Sequence, residues 1–238
     1  MVVDNFSIIR DRLVFEPDPK TGTTFDLYVV NILRRAKDSR GKEYGEDEGN
    51  RLIKTFEIMS VEYFDSKKET IIDLCERNSA RAYFLPQVRN SRECLKSLIR
   101  ECLDNLDNPT VKMSSLSRKS ICGNHSSRSK RWVIDLDDKE MYGYGFDRVM
   151  EIVRDGLRKC GRNPDDAFCV PTVNGKHIVT PPFNLEEARK KCEYMFEGTR
   201  VFEEKVPHGP GEYDTIIHKR NGWLHKDGAT ILYASIKD

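Results

Sequence analysis

The chain has 238 residues, a formal net charge of +1, and 33% charged against 38% hydrophobic residues. That is the balance of an ordinary soluble globular protein long enough to bury a sizeable core, and it excludes coating nucleic acid by bulk electrostatics. No stretch approaches the roughly 18 apolar residues of a membrane helix, and the opening MVVDNFSIIRDR reads as neither signal nor transit peptide, so a soluble cytoplasmic protein is expected (host cytoplasm if viral).

In chain order, FDLYVVNILRR (25–35) and RLIKTFEIMSVEYF (51–64) are rich in β-branched and aromatic residues. The polar, glycine-containing stretch between them predicts two paired strands with a long hairpin loop. Ser66 and Glu69 form a capping box for a short helix, and ARAYFL (80–85) reads as a strand. From Ser91 to Leu106 the apolar residues Leu95, Leu98, Ile99, Cys102, Leu103 and Leu106 make one helical stripe, capped by Asn90 with Glu93, and that stripe is expected to face the core.

Between Asn108 and Ile134 there is no acid, and Lys112, Arg118, Lys119, Arg128, Lys130 and Arg131 stand among serines. This segment is expected to be a basic loop, either simply solvated or a nucleic-acid-binding surface. A strand over 131–137 follows, then a helix from Phe146 to Cys160 with Gly161 as its C′ residue. Asn174 and Gly175 predict a type I′ turn between strands 167–173 and 176–180, with Pro171 restricted to an edge or a bulge. Asn184 and Glu187 cap a further helix, PHGPG (207–211) reads as a loop, and Thr230 to Ala234 is the last strand. With no repeat and no dividing linker, these elements predict a single α+β domain over 1–238, a mixed or antiparallel sheet covered by helices.

The seven cysteines are odd in number and form no CxxC pair, which suits reduced thiols rather than a disulfide framework. Cys122 and His125 have zinc-ligand spacing, but no second pair stands at finger-like distance.

The chemistry concentrates in KRWVIDLDDKE (130–140). Strand alternation puts Trp132, Ile134 and Leu136 on one face and Val133, Asp135 and Asp137 on the other. The two carboxylates are then roughly 6.5 to 7 Å apart at the backbone, close enough to converge on one divalent ion. The competing reading makes Asp137 an N-cap with Glu140 at N3. In TVNGKHIVTPPFN (172–184), His177 and Val179 should point to one side, with Lys176, Ile178 and Thr180 on the other.

An Asp-x-Asp at the end of an apolar strand, followed by a small-x-His strand (Gly175, Lys176, His177), resembles the first two motifs of the archaeo-eukaryotic primase and primase-polymerase superfamily. The primase-like segment covers about residues 80–238. The resemblance implies a metal-dependent nucleotidyltransferase using Mg²⁺ or Mn²⁺, nucleoside triphosphates and a single-stranded nucleic-acid template. It implies Asp135 and Asp137 as metal ligands and His177 as the catalytic phosphate contact, with Lys176 a further candidate nucleotide contact. The third metal ligand is Asp227 in LHKDGATILY or Asp214 after Tyr213, with Asp227 preferred because it directly precedes the last strand. The superfamily usually has serine where Gly175 stands. The chain also resembles phage and bacterial proteins without an established activity in its ARAYF, WVIDLD, NGKH and HKDGATILY segments. The alternatives are a non-catalytic nucleic-acid-binding or interaction module and a metal-dependent nuclease using the same acid pair.

Overall fold

The computed structural model describes residues 1–35, 50–123, 130–137, 145–195, 201–209, 212–219 and 225–235, with backbone alone for 137, 192–195 and 201–227 within those ranges. The N-terminal half runs β1 (Val2–Asp4), α1 (Phe6–Arg10), β2 (Asp26–Arg34), β3 (Arg51–Ile58), α2 (Val61–Asn78), β4 (Arg81–Asn90), α3 (Ser91–Asp104) and α4 (Met113–Cys122). The remainder runs β5 (Trp132–Asp137), α5 (Phe146–Lys159), β6 (Phe168–Pro171), β7 (Gly175–Thr180), α6 (Leu185–Met195), β8 (Val201–Gly209), β9 (Glu212–Lys219), β10 (His225–Asp227) and β11 (Thr230–Ser235).

The strands form a five-stranded sheet, β1-β11-β4-β2-β3, a four-stranded sheet, β10-β5-β7-β6, and the hairpin β8-β9. All described strand pairs are antiparallel, so the chain is α+β as its pattern predicts.

Each of the larger sheets buries one face against helices. In the first, Tyr28, Val30, Ile32, Phe56, Ile58 and Phe84 pack on Phe6 and Ile9 of α1 and on Phe64, Ile71 and Cys75 of α2. Burial pushes the Cys75 thiol up to about 12, leaving it an unreactive core residue. In the second, Ile134, Leu136 and Ile178 pack on Val149, Val153 and Leu157 of α5 and on Ala188 of α6. Gly156 is what lets α5 approach Phe183: a Cβ there would stand 2.7 Å from the ring's Cδ2.

The short helix α1 is a wedge between the sheets, and no periodicity announces it. Phe6 and Ile9 join the first core, while Ile8 packs against Val133, Val170 and Val179 on the other face of the second sheet. Just before it, the buried Asn5 donates both Nδ2 hydrogens, to the Pro171 carbonyl of β6 at 2.9 Å and the Ile231 carbonyl of β11 at 2.8 Å. One side chain thereby ties the two sheets together.

Several local expectations are met. Asn90 Oδ1 accepts from Glu93 N, and Asn184 Oδ1 accepts from Glu187 N, both at 3.1 Å. Gly161 has φ +65°, and Arg162 N donates to Leu157 O at 2.9 Å, the Schellman closure of α5. Pro171 lies on β6, an edge strand.

Others are corrected. The second strand stops at Ile58 because Ser60, not Ser66, caps α2, its side chain accepting from Tyr63 N. The β-branched and aromatic residues Val61 and Phe64 belong to that helix because they pack in the core beside α1. No residue of 172–175 has positive φ, so the chain reverses around Val173 and Asn174 without a type I′ turn, and Gly175 opens β7. Residues 113–122 of the expected basic loop form α4. Residues 207–209 extend β8, where a loop is expected, and 210–211 lie outside the described residues. The largest correction concerns α3: Leu95, Ile99, Leu103 and Leu106 of its apolar stripe are exposed, and Cys94 is its buried side chain.

Two stability measurements follow from this packing. Asn5→Ala removes both inter-sheet donors and should cost about 1–3 kcal/mol in urea unfolding. Gly156→Val overpacks against Phe183 and should cost about 1–3 kcal/mol in the same titration.

Candidate active site

β5 is central to its sheet and must bury its apolar residues on the α5 side, which sends Asp135 to the face turned toward α1 and β11. In antiparallel pairs, directly opposed residues share a face. One row therefore reads His225, Asp135, His177 and Val170 across β10, β5, β7 and β6. The row on one side pairs Asp137 with Gly175, and the row on the other holds Asp227, Val133, Val179 and Phe168. The three motifs picked out in the sequence thus occupy adjacent strands at register positions of one face. Asp214, by contrast, is opposite Val206 in the separate β8-β9 hairpin, so the topology favours Asp227.

The pair described in full atomic detail is Asp135 with His177. The imidazole is buried, and its Nε2 lies 3.1 Å from Asp135 Oδ1. Its Nδ1 lies 3.0 Å from Oγ1 of Thr230, the first residue of β11, which is fully buried. Asp135 keeps 39% of its side chain exposed, so the carboxylate stands at the mouth of the site and the ring behind it. A carboxylate only accepts, so Nε2 carries the proton. In the neutral ring Nδ1 then accepts from the threonine hydroxyl.

Asp135 is an oxygen donor of the kind Mg²⁺ or Mn²⁺ takes; Asp137 and Asp227 share its face by backbone register, and their side chains lie outside the described residues. Among the described residues no group of three His, Cys, Asp or Glu converges as a metal cage. Asp137 ends β5, and α5 begins only at Phe146 after Gly145, so Asp137 does not cap that helix. Residues 138–144, including Glu140, lie outside the described residues, as does His125 of the Cys122 pair.

Lys176 is on the opposite face from His177, its ammonium 4.4 Å from the centre of the Phe146 ring. The basic segment splits. Lys112 is the N-cap residue of α4, Arg118 is exposed on that helix, and Lys119 pairs with Glu101 at 2.7 Å. Lys130 is exposed just before β5, Arg131 donates to the Asp166 carbonyl at 3.2 Å, and Arg128 lies outside the described residues.

Two features of the site escape a reading of the sequence. Thr230 carries no motif and meets His177 only through folding. A cleft of about 290 Å³ between the sheets is lined by Arg12, Arg131, Tyr28, Phe84, Phe168 and Val179 among others. Arg12 lies 5.0 Å from the centre of the Phe168 ring. Because Phe168 and Val179 stand in the row next to His177, the cleft opens on the same face.

No protein-family model, curated protein or solved structure matches the chain.

Removing the hydroxyl that holds the ring tests this geometry. Thr230→Val leaves the buried Nδ1 without its partner and should cost about 1–3 kcal/mol in urea unfolding. In the wild type, the ¹⁵N shifts of the imidazole should report a protonated Nε2.

Proposed function

We propose that the protein is a metal-dependent nucleotidyltransferase of primase-like chemistry, joining nucleoside triphosphates on a single-stranded nucleic-acid template. The observation that carries this reading is the register: Asp135, Asp137, His177 and Asp227 fall on three adjacent strands, on one face, with Asp135 and His177 in contact. Separate surfaces for those residues would have left no site.

Asp135, Asp137 and Asp227 would hold Mg²⁺ or Mn²⁺, which when bound neutralises the triphosphate and lowers the pKa of an attacking 3′ hydroxyl. The chain's own contribution is positional. Thr230 fixes the imidazole, so that its Nε2–H points at the carboxylate and toward the open side of the site. A phosphate oxygen is an acceptor of the same kind as that carboxylate, so His177 would hold the triphosphate by exchanging its Nε2–H from Asp135 to a phosphate oxygen. Gly175 brings β7 beside Asp137 without a side chain, leaving room for a ligand to approach the backbone. Lys176, across the sheet, takes no part. Arg118, Lys130 and Arg131 are the template contacts from the basic segment, and screening should weaken them as salt rises.

The deciding measurement is extension on an unprimed and a primed single-stranded template, with labelled nucleoside triphosphates and Mn²⁺. Wild-type protein should give longer strands. Asp135→Ala should lose at least about 100-fold in rate while keeping its circular dichroism and staying folded at the assay temperature, although the loss of the His177 partner lowers its melting temperature. Shortened strands would assign a nuclease, and unchanged strands with retained binding would assign a non-catalytic nucleic-acid-binding module.

A further inference from the structure

The exposed stripe of α3 has a pattern that goes beyond any role in the site. Leu95, Ile99 and Leu103 of α3, and Leu106 just past its end, are each more than half exposed. The opposite side of α3 is already used: Cys94 is buried there, and Glu101 meets Lys119 of α4. Such a contiguous outward apolar row on a soluble domain marks a contact surface.

The charges beside the row say what covers it. Lys96, Arg100 and Asp104 follow one flank at spacings of four, and Asp107 stands just past the helix end, so the sign reverses over the last turn of α3. Lys96 is held by Glu93 within the helix at 2.8 Å. Arg100, Asp104 and Asp107 have no ion-pair partner among the described residues.

We propose that the occupant is a second copy of this chain, laid antiparallel on α3 about a two-fold axis near Glu101 and Cys102. A two-fold axis perpendicular to the helices brings like flank to like flank with the direction reversed. Leu95 then meets the second copy's Leu106, and Ile99 meets its Leu103. On the flank, Lys96 meets the second copy's Asp107 and Arg100 its Asp104. The apolar pairs centre at or just before Glu101 and the charged pairs at or just before Cys102, so the two registers differ by about one residue, roughly 1.5 Å along the helix. Parallel pairing would instead turn this charged flank toward the second copy's other flank, which carries Leu98 and Cys102, and leave the charges unpaired.

Sedimentation velocity at about 50 μM should give twice the 27.6 kDa chain mass, and Ile99→Asp should weaken association at least ~30-fold by burying an unpaired charge in the contact. One variant carries Lys96→Asp and Arg100→Asp, another Asp104→Lys and Asp107→Lys. Each should be monomeric alone, and a mixture should form the mixed dimer. These positions are on the solvent side of α3, so circular dichroism should match wild type, and the melting temperature should match it at dilutions where the wild type is also monomeric. A monomeric wild type at 50 μM, a dimer indifferent to Ile99→Asp, or charge-reversed copies that self-associate as well as they cross-associate would overturn the proposal.

Discussion

The structure around the candidate site depends on one imidazole with both nitrogens engaged. His177 belongs to β7, its Nε2 is held by Asp135 of β5, and its Nδ1 by Thr230 of β11 in the other sheet. A buried ring with an unmade hydrogen bond would cost the fold, whereas one with both made is oriented as well as satisfied. The same two contacts that remove the penalty also aim Nε2–H at the exposed end of the sheet. Stability and geometry are therefore served by a single arrangement.

That arrangement needs the two sheets at a fixed separation, and α1 supplies it. Ile8 faces one sheet, Phe6 and Ile9 the other, and Asn5 bonds a carbonyl of each. The cleft bounded by Arg12 and Arg131 is a consequence of inserting so short a helix, since its five residues fill only part of the gap. The five-stranded sheet then serves the site chiefly through Thr230 and the walls of the cleft.

α3 and α5 make an instructive pair. Both carry apolar residues at helical spacing, α3 is capped by Asn90 and α5 stopped by Gly161 as expected, yet α5 buries Val149, Met150, Ile152, Val153 and Leu157 while α3 shows its stripe to solvent. Periodicity says that a helix has an apolar face; it does not say that this chain supplies the surface to cover it. The charge reversal along α3 is legible in the sequence, but it acquires meaning only once the stripe is known to face outward.

The sequence by itself determined the α+β class, the pairing of β2 with β3, the helices beginning at Asn90 and Asn184, the Gly161 stop, and which residues share a face of β5 and of β7. These follow from spacings of two to four residues and from caps whose partners lie three residues away, so the information is local. Where such information conflicted it misled: Ser66 and Glu69 looked like a cap that Ser60 provides, and Asn174-Gly175 looked like a turn that Val173 and Asn174 make. Only the tertiary structure decided that Asp135 stands opposite His177, that Lys176 is on the wrong face to help it, that Thr230 completes the contact from 53 residues away, and that α3 is left uncovered. Those outcomes depend on which surfaces meet across the molecule, and no short-range pattern carries that choice.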